Sequence, residues 1–104
     1  MSALFFIQAH VPDDPDVRRR YREYQARVTP LIARHGGRLH ATGQHLETFE
    51  GTAPDRRVVV LEFPDIDALR AFWTSPDYAE ARTLRDGCSV TAWAIPTLAP
   101  PPDA

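Results

Sequence analysis

The stretch RRVVVLEFPDIDALRAFWTSPDY, residues 56–78, leaves the second half of this chain few ways to fold. Val58, Val59, Val60 and Leu61 make a β-branched apolar run of strand length, closed by Pro64. Asp65 then offers a helix N-cap, and Ala68, Leu69, Ala71, Phe72 and Trp73 crowd the short helix behind it. Ser75-Pro76-Asp77-Tyr78 is an elbow that starts another helix, with Gly87 to end it. The unbroken valine run predicts a central strand, buried on both faces.

The flanking sequence extends this β-α unit into a repeating order. Leu4 to Val11 has the composition of a strand and stops at Pro12. Asp13 or Asp14 supplies an N-cap and Pro15 a first helical turn. Tyr21, Tyr24, Val28, Leu31, Ile32 and His35 then fall on one helical face, opposite Arg18, Arg19, Arg22, Glu23 and Arg27. Pro30 predicts a kink or break near Thr29, and Gly36-Gly37 a C-cap. Arg38 to Glu50 reads as a long second strand with a bulge or bend at Gly43, followed by a turn over 51–55. Arg57 to Phe63 is the third strand. Cys88 to Ile95 is the last, alternating Val90, Ala92 and Ala94 against Thr91, Trp93 and Ile95.

The order β-α-β-β-α-β predicts a ferredoxin-like α+β fold: a four-stranded antiparallel sheet with the helices on one face. The other face is then bare. With apolar residues on both faces, the sheet is expected to pair with a second copy in a C2 homodimer. The expected organisation is one domain over residues 1–96 and a disordered Pro-rich tail over 97–104.

Composition removes several function classes. A net charge of −2 gives no electrostatic footprint for nucleic acid or an anionic membrane surface. No window approaches the roughly 18 apolar residues of a membrane span. The N-terminal run MSALFFIQAHVPDD lacks the basic start of a signal peptide. A single cysteine, Cys88, allows no intramolecular disulfide and fits a reducing cytoplasm. All 12 basic residues are Arg. Without Lys there is no Schiff-base or covalent pyridoxal phosphate chemistry, and no P-loop. No cofactor is expected.

The pieces GGR at 36–38, FEG at 49–51, RRVVVLEFP at 56–64 and the aromatic-then-SPDY elbow at 72–78 together resemble the DUF1330 family, a branch of the dimeric α+β barrel superfamily. The resemblance covers roughly residues 4 to 95. It implies a ferredoxin-like protomer and a homodimer closed by its sheets. The wider superfamily includes cofactor-free monooxygenases, muconolactone isomerases, haem-degrading enzymes and plain binding proteins, so the fold does not choose a function. The sequence departs from the family pattern in strand two. Thr42-Gly43-Gln44-His45 stands where relatives carry a basic residue and paired glycines, which implies a lost or changed anionic ligand.

A pocket in this fold lies between helices and sheet. The residues expected to face it are Tyr24 and His35 on the first helix, Arg38 entering strand two, Trp73 and Tyr78 at the elbow, and Arg82 one turn on. Tyr78 and Arg82 share a helical face, and an Arg beside Tyr and Trp can hold a carboxylate or an enolate oxygen. The alternative is that Trp73 and Tyr78 are core aromatics and that Arg82 pairs with Asp77, Glu80 or Asp86. His35 is the candidate general base near neutral pH, or simply a histidine favoured at a helix C-terminus. Glu62 interrupts an apolar strand, either as a buried acid or paired with Arg57 or Arg38. His40 and His45 are an odd number of positions apart and His10 lies on a separated strand, so no metal site is expected. Cys88 is expected to be inert.

Two functions fit. One is binding of a small, partly aromatic or carboxylated metabolite, with cofactor-free proton-transfer chemistry (isomerisation, cyclisation or oxygenation) in which His35 is base and Arg82 and Arg38 hold the anion. The other is a non-catalytic binding or accessory dimer. A cavity of about 300 Å³ or more with Arg and His converging on it favours the first, and a filled interior the second.

Overall fold

Each helix begins where its capping side chain sits. Asp14 accepts from the backbone N–H groups of Asp16 and Val17, opening α1, Pro15–Arg34, with Pro15 in the first turn. Asp65 accepts from Ala68 N at 2.7 Å to open α2, Ile66–Trp73. Ser75 accepts from Tyr78 N at 3.2 Å to open α3, Pro76–Arg82, which continues as a 3₁₀ turn over Thr83–Arg85. The computed structural model describes residues 1–53 and 56–98. Most of the expected tail, and Pro54 and Asp55 of the expected turn, lie outside the described residues.

Four strands, β1 (Ala3–His10), β2 (Arg38–Gly43), β3 (Arg57–Phe63) and β4 (Ser89–Pro96), form an antiparallel sheet ordered β2-β3-β1-β4. This is the ferredoxin-like arrangement, with β3 central as its valine run implies. The helices pack on one face. Phe5, Leu61 and Phe63 point to that face and join Val28, Leu31, Leu69, Phe72, Tyr78 and Ala81 in the core.

Four expectations change. The irregularity in β2 falls between Leu39 and Ala41, and Gly43 pairs regularly with Val58. The second strand stops at Gly43, not Glu50, because its pairing with β3 runs out at Val58. Residues 44–53 are irregular and expose Leu46 and Phe49. The first helix runs through Pro30 unbroken, since the missing N–H falls on the exposed side of the turn. The central valines are only half-buried: Val58 and Val60 lie on the sheet face that the chain's own helices leave bare, and Val59 faces an incompletely filled layer under the helices.

The two glycines after α1 have separate reasons. Gly36 has φ +80°, and its N–H bonds Ala33 O at 3.0 Å while Gly37 N–H bonds Ile32 O at 2.9 Å, a Schellman stop. A Cβ on Gly37 would meet the Phe63 ring at 2.7 Å, so glycine lets the chain enter β2 directly against the core.

Candidate functional site

The layer between α1 and the sheet is incompletely filled. A cavity of about 390 Å³ lies there, its walls supplied by α1 (Tyr21, Tyr24, Gln25, Val28), the sheet (Ile7, Thr42, Arg57, Val59) and the helix-side aromatics Phe72 and Tyr78. Its walls are mostly apolar, as ligand cavities usually are.

Its polar focus is a pair of phenols. Tyr24 and Tyr78 stand hydroxyl to hydroxyl at 3.0 Å. Tyr78 is buried and held against Phe72 and Trp73, with ring centroids 4.7 and 5.0 Å away. Tyr24 stacks on Tyr21 one turn earlier in α1, and the Arg85 guanidinium lies 5.9 Å from its ring centre. Burial pushes the Tyr24 phenol far above its ordinary pKa of 10.0, and the Tyr78 oxygen beside it adds to the shift. Burial likewise raises Tyr21. Tyr24 therefore stays neutral, and each hydroxyl of the pair can both donate and accept. One proton bridges the pair and the other is free to donate to a bound oxygen.

Of the residues expected at the pocket, Tyr24, Tyr78 and Arg38 line this cavity and His35, Trp73 and Arg82 do not. His35 occupies the C-cap of α1, with Nδ1 2.9 Å from Leu31 O and its ring on Phe72 at 5.9 Å. It lies on the expected helical face but packs on Phe72 and does not line the cavity. Trp73 is an edge-on neighbour of Phe5, and Arg82 covers the outer faces of Trp73 and Tyr78 at 5.3 and 5.7 Å. Arg38 touches the rim, but its guanidinium is turned to Glu62 on the bare sheet face, Nε donating at 2.8 Å. Glu62 also accepts from Ser2 Oγ at 3.1 Å, and these donors hold its carboxyl below the usual 4.5. Glu62 is thus a paired surface acid. Among the described residues no group of three or more His, Cys, Asp or Glu converges as a metal site. Burial raises the Cys88 thiol, as an inert cysteine requires.

Arg57, offered by the sequence only as a partner for Glu62, lies on the opposite sheet face from it. It lines the cavity from the start of β3, and its Nε is buried with no hydrogen-bond partner among the described residues. The signal was present in the alternation, since 57, 59, 61 and 63 share one sheet face.

Sheet order, helix placement and this cavity define a ferredoxin-like α+β protein. Within that class, residues 4–96 match the family described as a domain of unknown function (DUF1330), and the chain belongs to it. Among solved structures it is similar to a protein of unknown function from Rhodopseudomonas palustris, at 21% identity and TM-score 0.72, covering 95% of this chain and 84% of that one. It is similar to SnoaB, a cofactor-independent oxygenase from Streptomyces nogalater, at 17% identity and TM-score 0.64, covering 97% of each chain. It is also similar to a dimeric ferredoxin-like protein of unknown function from Thermobifida fusca, at 19% identity and TM-score 0.60, covering 93% and 92%. At these identities the likeness carries the fold alone. No curated protein matches this chain. Among the described residues no helix is long and apolar enough to cross a membrane.

Proposed function

We propose that this protein is a homodimer that binds a small, partly aromatic metabolite in the cavity between α1 and the sheet. The observation that carries the reading is the cavity itself, about 390 Å³ with a phenol pair at its wall, where a filled interior would have left no site. The aromatic walls take a ring, and the free phenol hydrogen takes a carbonyl or enolate oxygen. In a cofactor-free reaction of the isomerase, cyclase or oxygenase type, the pair would stabilise the oxyanion formed when an activated substrate loses a proton. The likeness in fold to SnoaB, a cofactor-independent oxygenase, supports this reading.

One observation favours the non-catalytic alternative. No histidine, carboxylate or thiol stands among the described residues lining this cavity. His35 would have to act as base from its capping position, through movement of the α1 end. A substrate that ionises unaided removes the need for it.

The dimer rests on the bare sheet face. Phe6 stacks on Trp93 there at 5.7 Å, and Trp93 and Ile95 remain 44% and 54% exposed in the protomer. Sheet-to-sheet pairing would bury these, on the order of 1,600 Å² in total for a stable interface. The single Cys88 accords with a cytoplasmic setting.

Calorimetric titration with 2-naphthol, a neutral aromatic alcohol, tests the reading. One molecule should bind per protomer, and Thr42→Trp, which fills the cavity from β2, should abolish binding. Equal binding by wild type and Thr42→Trp would place the aromatic elsewhere and overturn the proposal. Tyr24→Phe should weaken binding about five- to tenfold, the usual worth of one hydrogen bond.

A further inference from the structure

A second cavity, of about 480 Å³, opens at the end of the sheet where β1 leaves and β3 enters. Its character is opposite to the first. Arg18, Arg22, Arg56 and Arg57 line it together with His10, and no acidic side chain does so among the described residues. Arg18 is paired with Asp13 at 3.3 Å. Arg22, Arg56 and Arg57 have no ion pair among the described residues. In a chain of net charge −2, this is a concentrated local excess of positive charge.

Tyr21, Gln25 and Arg57 line both cavities, so the two adjoin. Arg57 stands where the two cavities meet. Its buried Nε lacks a partner among the described residues, and burying a guanidinium N–H without an acceptor costs free energy that an anion would recover. Guanidinium groups are suited to bidentate capture of carboxylate or phosphate oxygens. The two arginines that the sequence offered for an anion are engaged elsewhere, Arg38 with Glu62 and Arg82 on the Trp73 and Tyr78 rings.

We infer that the ligand is an amphipathic organic anion, its ring or hydrocarbon body in the apolar cavity and its carboxylate or phosphate at the Arg22–Arg56–Arg57 mouth. This deepens the cavity reading above and rests on it. Tyr21 and Gln25 form the passage between the two parts. The bound anion answers Arg57, and the phenol pair is left to meet a second oxygen at the far end of the molecule.

The test compares 2-naphthoate with 2-naphthol, which share a ring and differ in charge. Wild type should bind 2-naphthoate about tenfold or more tightly than 2-naphthol, with an affinity that falls as salt rises. Replacing Arg22 and Arg56 together by Gln, both outside the apolar cavity, should remove most of the preference and leave 2-naphthol binding as it was. Arg57→Lys, which keeps the charge, should retain part of the preference. Where the double variant melts early, Arg22→Gln carries the test from an exposed position, with a selective loss in the same direction expected. Equal affinity for the two probes in wild type, unchanged by the Arg substitutions, would overturn this inference and leave the cavity reading standing. Binding of neither probe would overturn both. Inorganic phosphate as competitor distinguishes the sources: displacement of 2-naphthoate favours a phosphorylated ligand, and its absence a carboxylate.

Discussion

The two faces of the sheet carry similar apolar side chains and meet opposite fates. On one, Phe5 and Phe63 are 4% and 0% exposed beneath the helices. On the other, one residue along each strand, Phe6, Trp93 and Ile95 face outward with nothing of their own chain over them. The strands alternate, but apolar residues occupy both phases of the alternation, so each face demands a cover. The helices suffice for one. The lesson is that the folding core and the assembly surface are the two sides of the same strands, and substitutions a single residue apart should separate them.

The largest effect is expected on the covered side. Phe72→Ala removes a ring packed against Phe63, Tyr78 and His35 and should cost about 3–5 kcal/mol. Urea melts at fixed protein concentration measure it, and a loss under about 1 kcal/mol would mean that the core packs differently. The next effect belongs to the bare side. Trp93→Asp puts a charge at the centre of the proposed interface and should weaken the dimer by about 2 kcal/mol or more, roughly thirtyfold in Kd. Analytical ultracentrifugation should show a shift to monomer with the circular dichroism of the sheet retained. An unchanged dimer would move the interface off this face.

Much of this was legible in the sequence, and the gaps have physical causes. Asp14, Asp65 and Ser75 declare the helix starts because a capping side chain acts locally. The Gly36-Gly37 stop and the strand order are equally local in origin. The length of β2 is not, since Gln44 to Glu50 could extend only against a partner that begins at Arg57. Periodicity placed Tyr24 and His35 correctly on one face of α1. It could not say that one stands over a hollow and the other over Phe72, because hollowness depends on what the opposite layer fails to supply. Arg57 was legible by parity with Leu61 and Phe63, but the valine run implied a strand without polar tasks. Arg38 and Glu62 were correctly available as a pair, and only the register shows them directly opposite across β2 and β3.

That pair supplies the smallest effect and sharpens the comparison most. Arg38, Glu62 and Ser2 form a polar patch on the bare face, with Arg38 72% and Glu62 21% exposed at the side chain. The Arg38 hydrogen bond, followed by that of Ser2, lowers the Glu62 pKa below 4.5 in the folded state. A depressed carboxylate contributes stability that is present above the unfolded pKa and lost as pH falls through the folded one. Wild type should therefore exceed Glu62→Gln in melting temperature at pH 7, and the two should converge below about pH 4. In an isolated protomer the difference should be slight and screened by salt. If the bare face is the interface, the patch is enclosed by the second copy, and the difference should grow with protein concentration because only the dimer shields it. Melts of both proteins across pH 3 to 7, at two concentrations, read this directly. A gap independent of pH would remove the charge from the argument, and one that depends on pH but not on concentration would place the patch outside the interface.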